Sequence, residues 1–443
     1  MTDSTQTAGA ARRSTRELSK AAVSGWLGTA MEFMDFQLYS LAAAIVFNKI
    51  FFPDVSPAIG LIAAMATYGV GYVARLVGAF YFGRMGDRIG RKKVLFLTIT
   101  IMGASTTLIG VLPPYQTIGI AAPVLLVVLR LIQGFGAGAE IAGATVMLVE
   151  YAPVKRRGLI SSLVSLGTNS GTLAASGLWA VLLLVLSEEQ VIAWGWRIPF
   201  LLSFALLLFG VWMRSNLKES PVFEEREDVA PASTGALETG LKQRKGRAFL
   251  LSLGLRFGQA GNSGLVQTFL VGYIASSLAV GRSVPTNAIV YGSLLGFATI
   301  PLVGLLGDRF GRRPVYLALS LLTAILAVPM MATIAGGSTV MLTIAMILGL
   351  NIGVLGLFAV ESVTMAELFG SRTRFTQLAV AKEIGGTLAT AVGPVVAAGL
   401  TAWTQHWWPI AAMLVVYSMI TFVSTWLAPE TRGRDLVRLE DAL

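Results

Sequence analysis

Apolar stretches long enough to cross a bilayer alternate along the chain with short polar segments. A bilayer core takes about 20 apolar residues per helix. Twelve stretches of that kind can be marked, at approximately 21–48, 57–83, 93–113, 119–149, 158–187, 194–214, 248–277, 285–306, 314–335, 338–368, 374–402 and 406–428. Several exceed the minimum, which predicts tilt or extension into the headgroup layer. Residues 1–20 are polar and lead directly into a full span, so the start of the chain does not read as a cleavable leader. The pattern predicts an all-α integral membrane protein.

The polar segments are not alike. Arg12, Arg13, Arg16 and Lys20 precede the first span, and Arg84, Arg88, Arg91, Lys92 and Lys93 follow the second. On the same side fall Lys155, Arg156 and Arg157, then Arg309, Arg312 and Arg313, then Arg372 and Arg374, with Arg432, Arg434 and Arg438 at the end. The opposite side carries only Lys49, Arg197 and Arg282. The excess of positive charge in cytoplasmic loops therefore predicts that both termini are cytoplasmic. The longest polar stretch, with Pro221 and Pro231, separates six spans from six. The expected organisation is a tail (1–20), a six-helix bundle (21–214), a cytoplasmic linker (215–247), a second bundle (248–428) and a tail (429–443).

The two halves echo each other. Gly83-Arg-Met-Gly-Asp-Arg-Ile-Gly-Arg-Lys-Lys93 follows the second span, and Gly304-Leu-Leu-Gly-Asp-Arg-Phe-Gly-Arg-Arg-Pro314 follows the eighth. Glu150 with Arg156 and Arg157 is echoed by Glu367 with Arg372 and Arg374. Motifs that recur at a near-constant offset argue for an internal parallel repeat, and such repeats are one transporter plan. The repeated Gly-x-x-x-Asp-Arg-x-Gly-Arg-Arg/Lys resembles the signature of the major facilitator superfamily. Further segments resemble its metabolite:proton symporter family: Gly28-Thr-Ala-Met-Glu32-Phe-Met-Asp35-Phe-Gln-Leu-Tyr39, Arg130-Leu-Ile-Gln-Gly-Phe-Gly-Ala-Gly-Ala-Glu140, Gly195-Trp-Arg-Ile-Pro-Phe200, Leu217-Lys-Glu-Ser-Pro-Val-Phe223 and Ala366-Glu-Leu-Phe369. Ala42-Ala-Ala-Ile-Val-Phe-Asn-Lys-Ile-Phe-Phe-Pro53 is most similar to the shikimate and organic-acid branch. The resemblance implies twelve transmembrane helices in two pseudo-symmetric six-helix bundles. It also implies import of a small organic acid with protons by alternating access across a bacterial cell membrane. The alternatives are a zwitterionic osmolyte such as proline or betaine as substrate, and proton-independent exchange or facilitation on the same fold.

Composition narrows the chemistry. Of 443 residues, 55% are hydrophobic and 13% charged, against about 25% charged in a soluble protein. Mean hydropathy is +0.71. Soluble enzyme, nucleic-acid binder and disordered scaffold are excluded. There is no cysteine and one histidine, His406 at the outer end of the last span, so neither a metal site nor a histidine proton relay is expected. The net charge of +10 mostly records topology, with some attraction to anionic lipid. No phosphate loop for an ATP-driven pump occurs, and no residue pair suits a membrane-embedded enzyme. The expected partners are a small organic anion, protons and the lipid bilayer, with no nucleic acid, no cofactor and a monomeric state.

A charge at the bilayer centre costs about 2.5–3.5 kcal/mol on insertion scales, so intramembrane ionisable groups are functional candidates. Nine fall inside spans: Glu32, Asp35, Glu140, Glu361, Glu383, Arg75, Arg130, Arg256 and Lys382. Glu32, Asp35 and Tyr39 share one face of the first helix, Asp35 near mid-depth. Carboxylates must carry any proton coupling, and Asp35, Glu32, Glu140 and Glu383 are the candidates. Arginine's planar fork suits a carboxylate ligand. Arg130 lies near the midplane, with Gln133 one turn on and Glu140 seven residues further, on the same face. Arg75 joins the substrate candidates, although its place nearer the cytoplasmic end also suits an inter-helix tie. Arg256, Gln259 and Gln267 form a stripe on the seventh helix, with Asn262 to its side. The resemblance implies an acid near Gln259, and its replacement by glutamine leaves a hydrogen-bonding stripe for substrate. Lys382 and Glu383 adjoin and cannot face each other, so each needs its own partner. A substrate anion competing for Arg130 or Arg256 would release a carboxylate, Asp35 or Glu32, to take a proton.

The repeated loop motifs suggest a cytoplasmic gate made of Gly83, Asp87, Arg88, Arg91 and Glu150 in one half and Gly304, Asp308, Arg309, Arg312 and Glu367 in the other. The expected pairs are Glu150 with Arg84 or Arg88, and Glu367 with Arg309. Gly83, Gly86 and Gly90 permit a tight turn and close helix approach. Gly167 and Gly171 form a Gly-x-x-x-Gly on the fifth helix, expected to serve packing within the bundle rather than dimerisation.

Overall fold

The computed structural model describes residues 15–54, 57–220, 222–224, 235–278, 280 and 283–436. Arg12, Arg13, Pro221, Pro231, Arg282 and Arg438 lie outside the described residues. Within them the chain forms twelve helical rods and no strand. Helix α1 runs Thr15–Ala42 and continues through a π-helical turn, Ala43–Phe47, into Asn48–Phe51; α2 is Pro57–Ile89 and α3 Arg91–Val111. Helix α4 comes in two pieces, Ala121–Ala137 and Glu140–Tyr151, followed by α5 (Arg157–Val185) and α6 (Arg197–Ser215). Helix α7 spans Gly235–Ser263, a π-helical stretch Gly264–Phe269 and Leu270–Ser277. Then come α8 (Ser283–Phe310), α9 (Arg312–Ala335), α10 (Thr339–Leu348, π-helical Gly349–Gly356, Leu357–Leu368), α11 (Arg374–Thr404) and α12 (Trp408–Leu427). Among the described residues ten rods are long and apolar enough to cross a membrane. The other two, α2 and α7, carry buried polar positions, Arg75 in one and Gln259 and Asn262 in the other.

Two differences from the expected pattern matter. The motif segments are not loops: α2 runs through Asp87 and α8 through Asp308, and a single residue reverses the chain in each. Those residues are Gly90 and Gly311, at φ +101° and +104°, a region that side chains with a Cβ rarely adopt. Likewise α7 begins at Gly235, so the later part of the expected linker is helical.

The first six and last six helices form the two bundles. In the first, α1 packs on α5, α3 on α6, and α2 on α4; in the second, α9 packs on α12, and α7 on both α11 and α12. The bundles meet chiefly along α2 with α11 and α5 with α8, a pseudo-twofold arrangement. Large apolar side chains such as Leu184, Trp212, Leu250 and Val395 face outward, as a hydrocarbon solvent demands. Pro301, Pro329 and Pro394 sit inside helices, which neighbouring helices can tolerate in a membrane.

The Gly-x-x-x-Gly of α5 lies against α1. A Cβ on Gly167 would strike the Trp26 carbonyl oxygen, and one on Gly171 the Ala30 carbonyl oxygen. Gly171→Val should therefore destabilise the purified protein by about 1–3 kcal/mol, the usual range for overpacking. Thermal melting should show a lower midpoint, with an unchanged elution volume on size exclusion. A changed oligomeric state with an unchanged midpoint would place this face between subunits instead.

Candidate functional site

Burial of ionisable side chains in an apolar bundle forces each to find a counter-charge or a hydrogen-bond partner. The first such cluster spans the seam between the bundles. Arg75, on α2, donates through Nη1 to Glu32 on α1 at 2.5 Å, and through Nε and Nη2 to both oxygens of Glu383 on α11 at 2.7 Å each. Arg75 is thus the tie between bundles, and Glu32 pairs with it rather than with Arg130 or Arg256. Tyr72 and Phe36 lie against the same guanidinium.

One turn along α1, Asp35 is held by hydroxyl groups. Thr106 donates to its Oδ2 at 2.6 Å and Ser203 to its Oδ1 at 3.2 Å. Gln133 donates to Thr106 at 2.6 Å and accepts from Arg130, so a chain of polar groups links Asp35 to the arginine. The Arg130 guanidinium lies 3.9 Å from the centre of the Tyr39 ring and 4.9 Å from that of Phe36. Tyr39 and Thr67 share a hydrogen bond.

Glu140 follows a two-residue break in α4 at Gly138 and Ala139 and, like Gln133, faces α3 within its own bundle. Both its oxygens accept from Arg214 of α6, and Thr98 donates to it at 2.8 Å. Arg214 lies at the end of its span in the sequence, where nothing marks it as intramembrane; the structure buries it.

The stripe on α7 is also broken. Arg256 donates to Gln259 at 2.7 Å, and Gln259 to the Val354 carbonyl in the π-helical stretch of α10 at 3.2 Å. Asn262 instead bonds Ser418 of α12, and Gln267, beyond the register shift at Gly264, bonds Ser263 of its own helix. Arg256 and Lys382 both reach Glu361, at 3.5 and 3.3 Å, above the ring of Phe358. Lys382 and Glu383 have separate partners, as their adjacency requires.

At the face that carries the basic motifs, the bundles are locked together by a duplicated device. Asp87 accepts from the backbone N–H groups of Phe375 and Thr376 at 3.2 and 2.9 Å, the first turn of α11. Asp308 accepts from those of Gly158 and Leu159 at 2.8 and 2.9 Å, the first turn of α5. Each aspartate thus caps a helix of the opposite bundle, where orphan N–H groups and the helix dipole favour an anion. Gly83 and Gly86 let α11 approach, since a Cβ on either would meet Thr376 or Phe375; Gly304 and Gly158 do the same for α8 and α5.

The expected gate pairs need correcting. Glu150 pairs with Arg91 at 3.2 Å and with Arg374 of the other bundle at 2.7 Å, not with Arg84 or Arg88. Glu367 pairs with Arg312 at 3.2 Å and lies 3.9 Å from Arg157 of the other bundle, not with Arg309. The glycine turns explain this: Gly90 and Gly311 reverse the chain, so Arg91 and Arg312, the first residues of α3 and α9, come back against the buried side, whereas Arg84, Arg88 and Arg309 lie exposed on α2 and α8. Arg157 and Arg374 read in sequence only as topogenic charge, although they recur at the same offset as Glu150 and Glu367. Glu219 caps α3 by accepting from the N–H groups of Arg91 and Lys92, and Glu430 caps α9 through Arg312 and Arg313. The adjoining Ser220 and Thr431 donate to Glu150 and Glu367. The chain after α12 crosses this face, where the Arg434 carbonyl accepts from Arg157 and that of Leu436 from Arg374.

Two six-helix bundles that meet at a charged seam, with the same set of contacts duplicated at one face, are the architecture of secondary transporters built from parallel repeats. A model of the major facilitator superfamily matches residues 25–271, and one of sugar (and other) transporters matches 224–443. YdfJ of Escherichia coli (strain K12), whose name carries no substrate, is 54% identical over 416 residues, covering 92% of this chain and 96% of YdfJ. The shikimate transporter of the same strain is 35% identical, covering 93% and 95%, and its proline/betaine transporter 32%, covering 95% and 85%. The fold matches that of the proton:xylose symporter XylE bound to 6-bromo-6-deoxy-D-glucose with a TM-score of 0.78 at 16% identity, covering 97% of this chain and 99% of that one. The chain belongs to the major facilitator superfamily, among its sugar and metabolite transporters, as the motifs implied. It is a multi-pass membrane protein and a secondary transporter of metabolites, not an enzyme.

The latch can be tested without background, because the chain has no cysteine. Ser162, fully buried beside Gly304, becomes a reporter as Ser162→Cys. Adding Asp308→Ala should speed maleimide labelling about fivefold or more, matching the ~1 kcal/mol that a lost helix cap typically costs. An unchanged rate would show that Asp308 does not hold the face shut.

Proposed function

We propose that the protein imports a small organic acid together with protons across a bacterial cell membrane, as a monomer with both termini and the basic face in the cytoplasm. The observation that carries the reading is the setting of Asp35. Its partners are Thr106 and Ser203, and hydroxyl groups can donate to a carboxylate or accept from a carboxylic acid. Asp35 can thus take up and release a proton without abandoning a fixed cationic partner. Glu32 and Glu383, which share Arg75, are the second place a proton can rest.

With the cytoplasmic latch closed, substrate and proton enter from outside. A substrate anion engages an intramembrane cation, Arg130 or Arg256, and a carboxylate gains the proton. Neutralised, the seam can part from the cytoplasmic side, with Asp87 and Asp308 leaving the helix ends they cap. The organic-acid assignment is supported by the 35% identity to a shikimate transporter and by the intramembrane arginines. A zwitterionic osmolyte is the second reading, favoured by the proline/betaine relative.

Proteoliposomes test this. In the native protein an inward proton gradient should drive shikimate or a related acid uphill, up to about tenfold per pH unit for one proton. Asp35→Asn should still exchange labelled substrate across the membrane yet accumulate none. Uptake that ignores the pH gradient would overturn symport, and uptake of betaine with none of the acids would favour the second reading.

A further inference from the structure

The two buried charge clusters are unbalanced in opposite senses. On the first-bundle side one cation, Arg75, serves two carboxylates, Glu32 and Glu383. In the second bundle two cations, Arg256 and Lys382, share one carboxylate, Glu361. We propose that Arg256 and Lys382 are the binding site for the substrate's carboxylate, with Glu361 as the resident counter-ion with which that carboxylate competes. The inference rests on the organic-anion reading above and chooses between the two arginines it left open.

Several observations besides the charge count point to this cluster. Its ion pairs are slack. Glu361 lies 3.5 and 3.3 Å from its cations, against 2.5–2.7 Å around Arg75. Glu361 meets its two cations only through these long contacts, and the Nε of Arg256 makes no hydrogen bond. The hydroxyl of Tyr316, fully buried, also has no hydrogen-bond partner. Buried polar groups normally satisfy one another, so a donor-rich cluster left in this condition is suited to receive an anion. Arg256 is the approachable member: 16% of its side chain is exposed, against 3% for Lys382 and none for Glu361. Gly385 and Gly386 lie against the stem and head of Arg256, where a Cβ would crowd it. Phe358 faces both cations, which suits a guanidinium and an ammonium held away from water. Arg130, by contrast, is fully buried, packed on two aromatic rings and bonded to Gln133.

The geometry also assigns the substrate class and a route for coupling. One cation is in excess, so one carboxylate balances the cluster and a second would find no partner there. Monocarboxylates are therefore preferred over dicarboxylates. Lys382 is the neighbour of Glu383, which holds Arg75 across the seam. A carboxylate at Lys382 thus acts one residue away from the tie between the bundles.

The purified full-length protein, titrated calorimetrically with shikimate and with succinate as a dicarboxylate comparator, tests the assignment. Lys382→Met should weaken shikimate binding about tenfold or more, whereas Lys382→Arg, which keeps the positive charge, should weaken it less than Lys382→Met does. Glu361→Gln should tighten binding, because it removes the competing anion; a merely structural role for Glu361 predicts the opposite. Ligand-free melting midpoints check that each variant is folded, and Glu361→Gln decides the matter if Lys382→Met is not. Shikimate binding unchanged in Lys382→Met, or weakened in Glu361→Gln, overturns the site. Loss of binding in Arg130→Gln with none in Lys382→Met moves the carboxylate to the first bundle and leaves proton symport standing. A native protein that binds no monocarboxylate defeats the organic-acid reading and this inference together.

Discussion

In the hydrocarbon of a bilayer no water is at hand to solvate a charge, so each ionisable side chain must be satisfied from within the protein. Arg75 shows what this demand does to the architecture. Its guanidinium has five donors in a fixed fork, more than one carboxylate can use. Glu32 takes one edge and Glu383 another, and these residues come from α1 and α11. One guanidinium therefore joins three helices and both bundles. The tie rests on an ion pair to each bundle, so any charge placed next to it bears on both.

The basic face holds the two bundles together by a different means. It relies less on side-chain ion pairs than on helix ends. Asp87 and Asp308 each satisfy two orphan N–H groups of a helix in the other bundle. Such hydrogen bonds can be exchanged for bonds to water at small net cost. Around them, Glu150 and Glu367 each gather arginines from both bundles, while Glu219 and Glu430 cap α3 and α9. The duplication follows from the sequence repeat: equivalent residues in the two halves occupy equivalent places in the lock.

The fold was legible because its causes are local and repeated. Span length and the doubled motif follow from the pattern of apolar and polar residues, and the twelve helices and two bundles bear them out. Side-chain pairing was harder to read wherever it depended on phase or distance. Arg88 and Arg309 look like partners for the gate glutamates until the helix is seen to run through the motif, which turns them outward. Glu140 shares the side of Gln133, as the spacing suggests, but its partner Arg214 comes from another helix and could not be read from spacing. Arg214 lies at a span's edge in sequence yet is buried against Glu140. Contacts across the seam, such as Arg75 with Glu383, join residues far apart in the chain and leave no periodic trace.

Proton symport as proposed requires a buried carboxylate that changes protonation when substrate binds. Infrared difference spectroscopy of the native protein, with and without a bound monocarboxylate substrate, observes that change directly. The predicted result is a new carbonyl stretch of a protonated carboxyl group on binding, absent in Asp35→Asn. No such band in the native protein, or an identical band in both Asp35→Asn and Glu32→Gln, would contradict it.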